Sequence, residues 1–293
     1  MIEEKPAGLA GFFIAAVGVE RMSMRTFCRF IAISALCLTS ASSFAEDKVQ
    51  RVRTPYLEGW GQVPLEVLAR QAAAFPDTYY LEGPGNTKRI AFTFDDGPSE
   101  NTSELLDVLK KNQIKATFFW LGNQVERFPE LVRQAMAEGH TIANHSYSHP
   151  YSSKLSIDAF WADQVGKTQA IYQSKFGFQP TLFRPPYGDI TDAEVALLRD
   201  KGMKVILWSV DTTDWYFARD FTGTKEISER LARFSHPEGI VLMHDGGGPR
   251  GKTIKAVDAL IQQLKAQGYE FVTVDQLLSV PAKLPVVNEV TAK

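Results

Sequence analysis

"RIAFTFDDGPSE", residues 89–100, is the stretch from which fold and chemistry both unfold. An apolar, β-leaning run from Ile90 to Phe94 ends in two adjacent acids, Asp95 and Asp96, and turns at Gly97-Pro98. Adjacent carboxylates repel, and burying even one beside a core strand is costly unless a cation or hydrogen-bond donors offset it. A polar Asp-Gly-Pro turn is ordinary loop chemistry. It accounts for Gly97-Pro98 but not for two tandem acids on an apolar strand.

The same run is the first of seven. "RIAFTF", "KATFFWL", "HTIAN", "TLFR", "KVILWSV", "GIVLMHD" and "EFVTV" read as strands, with helices expected to start near Asn101, Gln124, Ile157, Asp192, Lys225 and Thr253. In the last of these, Val257, Leu260, Ile261 and Leu264 recur at helical spacing. Repeated strand-helix alternation predicts an α/β fold with a mainly parallel sheet. About seven units exceed what a small open sheet needs and point to a single-domain barrel. Sites in such folds gather at the carboxyl ends of strands. Five of the seven runs end in metal-binding or proton-moving residue types: Asp95-Asp96, Asn144-His145, Arg184, Asp211 to Asp214, and His244-Asp245.

Composition narrows the class. The chain has 293 residues, 44% hydrophobic, and a formal net charge of -2, so it carries no basic field for nucleic acid. Near the N-terminus, Arg25 and Arg29 precede an apolar "FIAISALCL" and the small residues Ser43 and Ala45, the pattern of a signal peptide over residues 1–45. That run is shorter than the roughly 20 residues that span a bilayer, so a removed leader fits better than an anchor. The expected destination is the periplasm or the exterior, after cleavage near Ala45. Residues 1–23 read as an upstream extension, with Met22 or Met24 as alternative starts. Cys28 and Cys37 both fall in the leader, and Leu36 argues against a lipid anchor on Cys37. The mature chain then has no disulfide and no thiolate, with 28 basic against 31 acidic residues. Residues 46–87 read as a lead-in with one short helix, "PLEVLARQAAAF"; residues 88–280 read as the main domain and 281–293 as a loose tail.

His145 and His149, in "NHSYSHP", are four residues apart, so on a helical turn or a tight loop both imidazoles can reach one cation. Two His and one carboxylate leave open positions on a divalent ion, as catalytic zinc sites require. With Asp96 as the third ligand, Asp95 is left to take a proton from water. In "LFRPPYG", Arg184 is placed to hold Asp95 ionised, and the stiff Pro turn to aim the Tyr187 N–H at a developing oxyanion. "WSVDTTDWYF" offers Asp211, Asp214 and Trp215 as a His-orienting acid and a sugar-site wall, or as a cap and a part-buried Trp. "IVLMHDGGG" leaves His244 open to the cleft as the natural general acid. His140 and His236 read as structural or surface residues. Tyr147, Tyr151, Trp215 and Tyr216, in the outer loops, suit stacking on pyranose faces.

Taken in order, "TFDDGP" (93–98), "HSYSHP" (145–150), "RPPYG" (184–188), "DTTDW" (211–215) and "LMHD" (242–245) resemble the polysaccharide deacetylases of carbohydrate esterase family four. The resemblance implies a distorted (β/α) barrel of about seven strands and one divalent ion, Zn²⁺ first, with Co²⁺, Ni²⁺ or Mn²⁺ as alternatives. It implies Asp96, His145 and His149 as ligands, Asp95 as base, and His244 as acid supported by Asp214. Arg184 then tunes Asp95, Tyr187 supplies an oxyanion N–H, and Trp215 with Leu242 encloses the acetyl methyl. The expected partner is an N-acetylated polysaccharide: chitooligosaccharide, peptidoglycan or poly-N-acetylglucosamine. The alternatives are an O-deacetylase of acetylated xylan, a carbohydrate-binding relative without activity, and an Fe(II) oxygenase; the last would need no tandem acid.

Overall fold

The computed structural model describes residues 50–55 and 63–284. The leader with both cysteines and the alternative starts, and the tail beyond residue 284, lie outside the described residues.

Among the described residues, nine strands form one sheet: β1 (Tyr79–Tyr80), β2 (Arg89–Asp95), β3 (Thr117–Trp120), β4 (Thr141–Asn144), β5 (Leu182–Phe183), β6 (Lys204–Ile206), β7 (Val210–Asp211), β8 (Gly239–His244) and β9 (Glu270–Phe271). Their order is β1-β6-β5-β4-β3-β2-β8-β7, with β9 against the start of β2. Every named pairing is parallel. The sheet curls into a distorted barrel because one chain run changes neighbours. Leu207 N donates to Tyr80 O, whereas Ser209 N donates to Ile240 O, so "KVILWSV" splits into β6 and β7 and crosses to β8. That split and the unforeseen strand Tyr79–Tyr80 take the seven expected runs to nine. "EFVTV" is also shortened: Thr273 and Gln276 form a capping box that turns its end into the helix Val274–Leu278.

The period of two sorts each strand's side chains. Ile90, Phe92 and Phe94 of β2, with Phe118 and Trp120 of β3 and Val241 and Met243 of β8, face one core layer under the outer helices. The helix Gly251–Ala266 seals this layer with Ile254, Val257, Leu260, Ile261 and Leu264. Truncating one such residue to Ala would cost about 2–5 kcal/mol. The alternate positions, Ala91, Phe119, Ile240 and Leu242, belong to the second cluster, which fills the barrel. Thr93 and Asp95 continue that inward row, and β2 pairs Thr93 with Leu242 and Asp95 with His244. Strand parity therefore points Asp95 and His244 into the same lumen at the carboxyl end.

The expected helix near Gln124 is two, Gly122–Arg127 and Pro129–Ala137, since Pro129 lacks the N–H to continue one and suits the start of another. The helix from Ile157 runs on to Phe176 through a π-turn at Phe160–Val165. Of the stretch read as tail, Ala282 and Leu284 pair with residues 179–181.

Candidate active site

The five strand ends converge on a cleft of about 380 Å³. Asp96 leaves β2 with φ 72°, in the left-handed region, which turns its carboxylate away from the lumen direction of Asp95. Gly97-Pro98, a cis peptide, follows. A Cβ at Gly97 would stand 2.3 Å from Asp245 Oδ2, so only glycine fits. Among the eight described non-glycine residues with positive φ, five (Asp96, Ser146, His149, Tyr187 and Thr213) belong to these motifs or lie between their ligands. Such backbone costs about 1 kcal/mol or more per residue and persists where surrounding bonds over-determine it.

Those bonds are visible in the His loop, which is not helical. Ser146 N donates to Asn144 Oδ1, His149 N to Ser146 Oγ, and Tyr147 N and Ser148 N to Gln164 Oε1. His145 Nδ1 lies 2.7 Å from Arg184 O, where it donates, leaving Nε2 with its lone pair toward Asp96. Asp96 Oδ1 stands 3.5 Å from His145 Nε2 and 3.3 Å from His149 Nε2. Ligand atoms of the three residues all lie within 4.8 Å of one another, and among the described residues no other group of three or more His, Cys, Asp or Glu is so placed. Burial, aided by neighbouring His145, lowers His149 to about 4, so its imidazole is neutral at pH 7 as a ligand must be. Burial pushes the Asp96 carboxyl up, but the three imidazoles around it outweigh that and hold it well below the usual range. Asp96 Oδ1 is nonetheless buried without a hydrogen-bond partner. An orphaned carboxylate oxygen facing two imidazole lone pairs is a donor set that fits a divalent cation.

Asp95, also buried, is served from inside the barrel. Arg184, fully buried, donates from Nη1 to Asp95 Oδ1 at 2.7 Å and to Thr93 Oγ1 at 2.8 Å. Its Nε and Nη2 donate to Ile206 O and Leu207 O, and its plane lies 4.0 Å over the Phe119 ring. Every edge of this guanidinium is held, as a buried charge requires.

Across the cleft, Asp214 Oδ1 lies 2.7 Å from His244 Nδ1 and Asp214 Oδ2 accepts from His244 N and Thr253 Oγ1. Burial lowers the His244 pKa, but the Asp214 charge and hydrogen bond more than reverse it, so it ends raised. Asp211 instead accepts from Thr213 N within its own turn. Of the two acids left open by the sequence, Asp214 meets the imidazole.

Trp215 and Leu242 line the cleft, as does Tyr187, 46% exposed and stacked 4.0 Å from Tyr151. Tyr151 and Trp215 thus reach the site. Tyr147 instead lies under Lys167 Nζ with its hydroxyl on Glu126, and neither it nor Tyr216 is among the lining residues. His140 packs on Phe118 and His236 bonds Ser209, both away from the cleft.

A family model described as polysaccharide deacetylase matches residues 82–206. A peptidoglycan-N-acetylglucosamine deacetylase of Bacillus cereus is 38% identical over 201 residues, covering 68% of this chain and 71% of that protein. The chain belongs to the polysaccharide deacetylase family. A second relative, the peptidoglycan-N-acetylmuramic acid deacetylase PdaC of Bacillus subtilis, is 40% identical over 193 residues, 66% of this chain and 39% of that protein. Among solved structures, the Bc1960 peptidoglycan N-acetylglucosamine deacetylase aligns with a TM-score of 0.68 at 35% identity, covering 72% of this chain and 98% of that one.

As a polysaccharide deacetylase, the chain holds residues to which sequence reasoning gave no role. Asp245 is sealed behind the acids, bonded by Thr102 Oγ1 and Trp120 Nε1. Burial, with Asp96 and Asp95 nearby, raises it to about 7 despite those two bonds. Its place after His244 on a strand end was the available signal. Arg250 anchors the Asp214 turn through Asp214 O, at 3.3 Å. Trp208 lines the cleft with a buried, unpartnered Nε1, and nothing in "VILWSV" marks it out.

Proposed function

We propose that this deacetylase removes N-acetyl groups from a GlcNAc-containing glycan of the peptidoglycan type, outside the cytoplasm, with Asp95 as base and His244 as acid. What carries the reading is a buried, Arg-held carboxylate and an Asp-held imidazole lining one cleft, beside the Asp96–His145–His149 corner. The two relatives act, by name, on N-acetylglucosamine and N-acetylmuramic acid of peptidoglycan, which supports that substrate class.

Asp96, His145 and His149 would hold a divalent ion, Zn²⁺ suiting the nitrogen-rich donor set; when bound it supplies Lewis acidity, acidifying a water and polarising the acetyl carbonyl. Asp95 accepts the proton of the attacking water. Arg184, bonded to Asp95 Oδ1, fixes the direction of its free oxygen. The Tyr187 N–H, turned by its positive φ, donates to the oxygen that gains charge. Nδ1 of His244 being tied to Asp214, its Nε2 carries the proton to the leaving nitrogen, which cannot depart as an anion. Trp215 and Leu242 enclose the methyl.

Acetate release from peptidoglycan, chitooligosaccharides, poly-N-acetylglucosamine and acetylxylan, with and without chelator, tests this reading. We expect chelator-sensitive release from the GlcNAc polymers. Release from acetylxylan alone, or release indifferent to chelator, would contradict it.

A further inference from the structure

Charge in the cleft is nearly all accounted for. Asp95 is matched by Arg184, Asp214 by His244, and Arg250 is occupied by Gly246 O and Asp214 O. One cationic group remains. Arg219 lines the cleft, is exposed, and its guanidinium has no ion pair or hydrogen bond among the described residues. An exposed arginine is ordinarily solvated surface, so its position has to be explained. It stands four residues after Trp215 on the short helix Asp214–Phe217 and its continuing turn, where Ala218 N still donates to Asp214 O. Four-residue spacing sets both side chains on one face. That face is fixed from below by the buried Asp214–His244 bond. The pair that orients the acid thereby also places a free planar fork on the wall above it.

A guanidinium with no internal partner, on a wall that a glycan must pass, is suited to bidentate capture of a carboxylate. We propose that Arg219 is a specificity-determining residue that reads a carboxylate on the sugar next to the one deacetylated, so the cleft selects an anionic amino-sugar polymer. The lactyl ether acid of a muramic-type residue that bears no peptide has this chemistry, and an amidated lactyl group or a neutral homopolymer of N-acetylglucosamine does not. The inference rests on the deacetylase reading above and narrows its substrate. Because Arg219 is exposed, the effect is modest, salt-sensitive, and carried mainly by KM.

The test compares kcat/KM for acetate release on three tetrasaccharides: an N-acetylglucosamine tetramer, an alternating N-acetylglucosamine–N-acetylmuramic acid tetramer with free lactyl carboxylates, and that tetramer with the carboxylates amidated. Wild-type protein should favour the free acid over its amide by about tenfold, the size of a charge-assisted bond discounted for exposure. In Arg219→Gln that ratio should fall toward one, Arg219→Lys should retain part of it, and added salt should shrink it in the wild type. Equal wild-type rates on acid and amide, or an Arg219→Gln variant that slows both alike, would overturn the role of Arg219 while leaving the deacetylase reading in place. Absence of acetate release from all three would overturn both.

Discussion

The two walls of the cleft are built on opposite principles. On the His244 wall the charges that orient the acid have their partners within the protein: Asp214 is buried and engaged by His244, Thr253 and Arg250. On the Asp96 wall two imidazoles and a carboxylate converge and leave a buried oxygen without a bond. One wall is held by its own bonds; the other, on the reading proposed above, is completed by a divalent cation. Asp95 stands between them, beside the open corner but anchored from the barrel interior by Arg184. If the proposed ion is there, the contrast teaches what its loss removes: positioning of His244 survives, and activation of water does not.

The largest effect should come from breaking the open wall. His145→Ala should abolish bound divalent ion and lower kcat/KM on the order of 10³-fold, several kcal/mol of charge stabilisation being lost; metal analysis beside an acetate assay checks it. Asp95→Asn should divide the walls: bound ion stays, turnover falls at least about 10²-fold, and full activity would remove Asp95 from the reaction. Asp214→Asn should leave ion binding intact, reduce kcat about 10²-fold, and reshape the pH profile. The acid must be protonated to act, so activity fades as pH rises through the His244 pKa. Asp214 raises that pKa, so without it the alkaline limb of kcat/KM should begin at lower pH. Smallest is Thr253→Val, which removes one hydrogen bond to Asp214, worth about 1 kcal/mol; rates should fall less than tenfold with ion content unchanged.

Much of this was legible because parallel topology makes sequence position predictive. A polar residue ending an apolar run must lie at one end of the barrel, and parity along β2 sends Asp95 inward with Thr93 and Ala91. The tandem acids and paired histidines pointed, by type and spacing, to the corner where Asp96, His145 and His149 meet. What stayed hidden depends on long-range pairing. "KVILWSV" looks like one strand, and only its exchange of partners from Tyr80 to Ile240 divides it. Asp211 and Asp214 are equivalent in sequence; the meeting of Asp214 with His244, 30 positions away, separates them. Tyr147 and Tyr151 are alike as aromatic loop residues, yet Lys167 and Glu126 hold Tyr147 away while Tyr151 stacks on Tyr187.

Calorimetric titration of the metal-free protein with Zn²⁺ addresses the underlying asymmetry most directly. One ion should bind per chain in the wild type and in Asp214→Asn, with binding lost in His149→Ala. A wild-type chain that takes up no stoichiometric ion, or a His149→Ala chain that binds it undiminished, would mean that the unpaired corner is not a cation site.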